Sequence, residues 1–153
     1  MNTATEVRSL IAPISGGGIL LPGSMIAEVI NYAEPEAFGS GPDWLLGELR
    51  WNGWQIPVVN FAFLAGLTSD DVVPDRARVL VVKTFSLSAS ILHIGMIIEG
   101  LPRLKSVTPA NLVETEGQTP EGVFSHVQVE DQEAVIPDLD ALALSIEKAV
   151  YNR

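Results

Sequence analysis

The chain is 153 residues long and 47% hydrophobic, and it carries 19 acidic against 9 basic residues for a formal net charge of −10. That length suits one domain with its own core, and the apolar content excludes disorder. The negative charge excludes nucleic acid and anionic lipid as ligands over most of the surface, and the absence of cysteine excludes disulfides and thiolate metal sites.

Ser9 to Ala27 is uncharged, yet Pro13, Gly16, Gly17, Gly18, Pro22 and Gly23 would break a helical apolar region. Arg8 beside Glu6 makes no basic leader, so a secretory signal is not expected. Leu10 to Ser15 and Ile19 to Leu21 flank the three glycines and read as strands joined by a turn. The turn lacks the lysine and following helix of a phosphate loop. Met25 to Tyr32 reads as a further short strand, and Glu34 to Asp43, rich in Pro, Gly and acids, as a loop in which Glu34 and Glu36 are solvated.

Residues 50 to 57, Arg-Trp-Asn-Gly-Trp-Gln-Ile-Pro, carry the strongest local signal. Both residues of a two-residue hairpin turn need positive φ, and Asn52-Gly53 tolerates it, so Leu45 to Trp51 and Trp54 to Phe61 are expected to pair. That turn fixes the register. Trp51 faces Trp54, Leu49 faces Ile56 and Gly47 faces Val58 on one side, while Glu48, Arg50 and Gln55 lie on the other. The indole pair either fills core or leaves one ring exposed as an anchor for a partner.

Phe61 to Leu67 reads as a short helical turn before an acidic loop, Thr68 to Asp75, and Arg78 to Lys83 as a strand. In Phe85 to Ile91, Phe85, Leu87, Ala89 and Ile91 alternate with Ser86, Ser88 and Ser90, a period of two that predicts a strand with one buried face. Leu92 to Ile98 is a nearly continuous apolar strand. The run Val79 to Ile98 is interrupted by Lys83, serines and His93, unlike a membrane span. Val123, Val127 and Val129 alternate with Phe124, His126, Gln128 and Glu130 as another strand, in which the adjacent Glu130 and Asp131 point to opposite faces. Leu139, Leu142, Ala143, Ile146 and Val150 switch to helical spacing, with Asp138 and Asp140 at the start where carboxylates favour the helix dipole. Many short strands and one terminal helix predict an all-β barrel or sandwich architecture in a single domain, residues 1–153.

No residues assemble a nucleophile, base and oxyanion donor. His93, within Ile-Leu-His-Ile-Gly-Met, reads as a structural histidine, and His126 as a solvated one. The alternative is a small β-barrel ligand binder or hydrolase using His93 or His126 with nearby carboxylates.

Gly47 to Phe61, Gly-Glu-Leu-Arg-Trp-Asn-Gly-Trp-Gln-Ile-Pro-Val-Val-Asn-Phe, resembles the signature of the CheW-like domain family. Ile26, Glu28, Val29 and Tyr32 match its Val-x-Glu-Ile segment, and Pro42 to Gly47 its Pro-x-Phe/Ile-x-Gly lead-in. Val79 to Val82 and Ile97 to Leu101 are similar to its Val-Val-Asp-x-Val region, and Ile136 to Leu139 to its Ile-x-Asp-Leu ending. The resemblance spans residues 10 to 147 and is nearest to members serving type IV pilus chemosensory systems. It implies two small five-stranded SH3-like β-barrels sharing a hydrophobic core, with a short C-terminal helix. It also implies a cytoplasmic, non-catalytic adaptor without cofactor or metal, associated with membrane-proximal arrays. Its partners would be the regulatory domain of a CheA-type histidine kinase and the cytoplasmic tip of methyl-accepting chemoreceptors. Carried over by position, Ile30, Tyr32, Arg50, Asn52 and Trp54 would be the partner-binding residues. Asn52 stands where the family has arginine, Asn60 and Glu99 where it has aspartate, and these departures leave open an accessory or specialised coupling role.

Overall fold

The computed structural model describes residues 6–85 and 89–151. In chain order these residues form strands β1 (Val7–Ile14), β2 (Gly17–Pro22), β3 (Ile26–Asn31), β4 (Leu45–Trp51) and β5 (Trp54–Val59), then helix α1 (Phe61–Leu64). Strands β6 (Ala77–Lys83), β7 (His93–Glu99), β8 (Arg103–Val107), β9 (Leu112–Thr115), β10 (Val123–Val129) and β11 (Gln132–Pro137) follow, then helix α2 (Leu139–Ile146), which continues as a π-helical turn over Glu147–Tyr151.

The strands make two curled sheets, ordered β8-β1-β2-β11-β10-β9 and β3-β6-β7-β5-β4. The expected all-β pair of SH3-like units is therefore present, with six strands rather than five in the first sheet. Most neighbours are antiparallel, while β11 runs parallel to β2 and β5 parallel to β7.

Alternate residues of the central strands feed different cores. In β6, Val79 and Val81 point into a cluster with Ile56, Val58 and Ile97 inside the second barrel. Leu80 and Val82 point the other way, into the core shared by both sheets. In β1, Ile11 joins Leu20, Val107, Val127, Val129 and Ala134 inside the first barrel, while Ala12 and Ile14 join the shared core. A strand buried on both faces cannot alternate with polar residues, which is why β6 and β7 read as continuous apolar runs. Each fully buried Val, Leu or Ile contributes about 1.5–3 kcal/mol.

The helices seal the shared core. Asn60 caps α1 by accepting from the Phe63 amide at 3.2 Å, and its Nδ2 donates to the Asp71 carbonyl at 3.4 Å. An aspartate at this position would supply the cap but could not donate to the acidic loop. Asp138 caps α2 by accepting from Ala141 N at 3.0 Å, and Leu139, Leu142, Ala143 and Ile146 turn inward. Ser15 Oγ donates to Glu99 at 2.9 Å and ties the β1–β2 turn to the end of β7.

Two local expectations are corrected. Phe85 to Ile91 does not form a strand at its described residues: Phe85 and Ala89 to Ile91 lie in the connection between β6 and β7, and Ser86, Leu87 and Ser88 fall outside the described residues. Lys83 pairs with His93, so β6 and β7 are one hairpin and the described residues Phe85 and Ala89 to Ile91 fall in its connection. Thr84 closes this connection, its amide donating to the Leu92 carbonyl at 2.9 Å. Glu130 and Asp131 are not strand residues either. They form the turn between β10 and β11, with Glu130 at φ 58°.

Candidate functional site

The β4–β5 hairpin has the expected register: Trp51 faces Trp54, Arg50 faces Gln55, Leu49 faces Ile56, Glu48 faces Pro57 and Gly47 faces Val58. Asn52 and Gly53 take φ of 51° and 81°, the left-handed values that the two-residue turn requires.

The two indoles have different surroundings. Trp51 is half-buried, its ring centroid 4.9 Å from that of His93 on β7, and its Nε1 donates to Glu28 Oε1 on β3 at 2.9 Å. Strands β3 and β4 are the two outer strands of their sheet, so this bond closes the curled sheet into a barrel at its rim. Trp54 is 56% exposed. Single exposed apolar residues are ordinary, but a tryptophan at a hairpin end beside a cleft is a candidate anchor.

That cleft, of about 250 Å³, is lined by Trp54, Gln55, Ile56, Pro57, Glu48, Tyr151 and residues 90–93. The Tyr151 hydroxyl donates to the Glu48 carboxylate, and the Tyr151 ring meets Phe38 edge-on at 5.5 Å. Burial, then the bond to Glu48, pushes the Tyr151 phenol well above its ordinary value, so it stays a neutral donor. Burial and then the Lys83 ammonium hold the His93 imidazole below its ordinary value. Ser90 donates through both its amide and its hydroxyl to Glu147 Oε1, at 2.9 and 2.6 Å, fastening the β6–β7 connection to the C-terminal helical segment.

Arg50, Asn52 and Trp54 are thus brought together, exposed, at the hairpin end. Ile30 and Tyr32 are half-buried and pack against the interior of the second barrel, as do Leu49 and Trp51. Burial and then Glu34 raise the Tyr32 phenol above its ordinary value.

A second surface was not expected. Phe85, 70% exposed, and Phe124, 66% exposed, border a groove of about 630 Å³ with Leu21, Met25, Ile136, Leu139 and the acids Asp138 and Asp140. The two surfaces share no lining residue. The available signal was Phe124 itself, an aromatic ring at a polar-face position of an alternating strand.

His93 lies in the five-stranded sheet and His126 in the six-stranded one, with His126 Nε2 2.7 Å from the Gln118 carbonyl. Among the described residues no group of three or more His, Cys, Asp or Glu could hold a metal ion. No described helix is long and apolar enough to cross a membrane.

The CheW-like domain family matches residues 9–147. No curated protein sequence matches the chain. The crystal structure of the scaffolding protein TtCheW from Thermoanaerobacter tengcongensis superposes with a TM-score of 0.70 at 13% identity, covering 88% of this chain and 90% of that one. At that identity the likeness is one of fold.

Proposed function

The chain belongs to the CheW-like domain family of chemotaxis scaffold proteins, and on that premise we propose that it couples methyl-accepting chemoreceptors to a CheA-type histidine kinase. The observation that carries this reading is the family match across residues 9–147, which takes in both barrels rather than the hairpin signature alone. The adaptor acts by binding, without catalysis or cofactor. The finer assignment is to a ChpC-type adaptor of a type IV pilus chemosensory array, held near the membrane by its receptors.

Bridging two partners requires two binding surfaces, and the Trp54 end of the hairpin and the Phe85–Phe124 groove supply two without a shared residue. The kinase regulatory domain is assigned to the hairpin end, with Arg50, Asn52 and Trp54 as contacts and Ile30 and Tyr32 packed in the same barrel. Asn52 presents no guanidinium, so charge at this turn is left to Arg50.

The test is co-elution of the full chain with the CheA-type regulatory domain and the receptor tip from the same cell. Trp54→Ala should weaken kinase binding by about tenfold or more while leaving the fold intact, since a central interface tryptophan carries that much. Failure of the wild-type chain to bind either partner overturns the adaptor reading. Undiminished kinase binding by a folded Trp54→Ala or Asn52→Asp variant removes the hairpin as the contact surface.

A further inference from the structure

We propose that the cleft between Trp54 and Tyr151 is a docking site for an arginine side chain presented by a partner protein. The inference takes the class of partner, a protein, from the adaptor reading, and takes the chemistry from the cleft itself.

Three rings border this cleft: Trp54, His93 and Tyr151. A cation is attracted to the face of an aromatic ring, most strongly to an indole, and an arginine guanidinium also stacks on it. The Glu48 carboxylate stands in the same wall, held by the Tyr151 hydroxyl on Oε2. Among the described residues no cationic side chain lies within ion-pair distance of Glu48, the one ion pair being Lys105 with Glu130. Glu48 thus places a carboxylate with no described ion-pair partner at a site with aromatic walls, in a chain whose net charge is −10. A cationic partner group is the complement.

The remaining walls select between cations. Ile56 and Pro57 line the floor, and Leu92, 54% exposed, stands at the edge. Such walls fit the methylene stem of a long side chain whose charged head lies against the carboxylate. A compact, strongly hydrated ammonium gains less from this arrangement than a planar, weakly hydrated guanidinium, which can stack on Trp54 and donate to Glu48 together. His93 adds no opposing charge at neutral pH, because burial and Lys83 keep its imidazole neutral. Lys83 itself does not line the cleft.

The experiment titrates the full chain with N-acetyl-argininamide and follows the indole N–H signals by NMR. The uncharged citrulline analogue and the lysine analogue serve as controls. The expected result is a saturable shift of the Trp54 indole signal, assigned by its loss in Trp54→Leu, with the lysine analogue weaker and the citrulline analogue inert. Glu48→Gln should weaken arginine binding about fivefold, the scale of one exposed cation–aromatic or ion-pair contact. Tyr151→Phe, which keeps the ring but releases Glu48, should retain binding and shows whether the cleft survives substitution. No saturable shift, an equal response to citrulline, or undiminished binding by folded Glu48→Gln overturns the proposal. Arginine binding by a chain that captures no kinase would instead fault the adaptor reading and leave the cleft standing.

Discussion

Trp51 Nε1 donates to Glu28 Oε1 across 2.9 Å, joining residues 23 apart in the chain on strands at opposite ends of the sheet order. Neither strand pairs with the other, so this side-chain bond stands where a backbone ladder would otherwise close the barrel. Trp51→Phe and Glu28→Ala should each lower stability by about 1 kcal/mol, the usual worth of a hydrogen bond near a surface. The double variant should lose less than the sum. Urea midpoints measure all three, and strictly additive losses would show that the bond contributes nothing.

The hairpin turn predicts a purely conformational effect at Gly53. Its φ is 81° and nothing lies within 4 Å of a built Cβ, so Gly53→Ala meets strain but no clash. A loss of about 1 kcal/mol is expected, with the Trp51–Trp54 register retained. Thermal unfolding reports the loss and cross-strand NOEs report the register. A loss several times larger would mean that the turn is held by contacts not visible at Gly53.

Gly47 should respond quite differently. A Cβ there would lie 2.3 Å from the Glu36 carbonyl oxygen, with φ at 148°. Glu36 and Glu48 exchange both backbone hydrogen bonds at 2.9 Å, so the loop cannot withdraw without breaking them. Gly47→Ala is expected to lose about 3 kcal/mol or more, combining strain with a backbone clash. An alanine variant as stable as Gly53→Ala would show that the loop carrying Glu36 is not fastened over β4.

His93 sets a pH dependence. Its folded-state pKa lies below 6.5, by burial first and by Lys83 second. The unfolded chain therefore takes up the proton first as pH falls. Stability is unaffected by this group well above 6.5 and declines from there down to the folded-state pKa. His93→Gln should flatten that part of the curve as pH falls through 6.5. Urea titrations across the range check it, and parallel curves for the two proteins would refute it.

The hairpin register was readable because a two-residue turn is a local device, needing only two residues that accept positive φ. The Asp138 cap and the α2 stripe were equally local, resting on one side chain and a 3.6-residue period. Arg78 to Lys83 and Leu92 to Ile98 read as strands from their apolar runs, and the structure buries both on two faces. Phe85 to Ile91 misled for the same reason: its alternation fits a strand, but pairing of Lys83 with His93 puts its described residues, Phe85 and Ala89 to Ile91, in a connection. Of the candidate contacts, the exposed positions of Arg50, Asn52 and Trp54 follow from the hairpin. The half-burial of Ile30 and Tyr32 follows from packing against a cluster built from β5, β6 and β7, which no local pattern records.

The amino-acid order by itself determined the turn at Asn52-Gly53, the pairing it enforces and the helix start at Asp138, since each depends on residues within a few positions of one another, and motifs spread along the chain marked a recognisable family. Only the tertiary structure decided which indole faces solvent, because Trp51 is drawn in by Glu28 and His93 from other strands. It alone decided the make-up of the Trp54 cleft, where Tyr151 reaches Glu48 across a separation of 103 residues. Contacts of that span follow from how two barrels pack around a shared core.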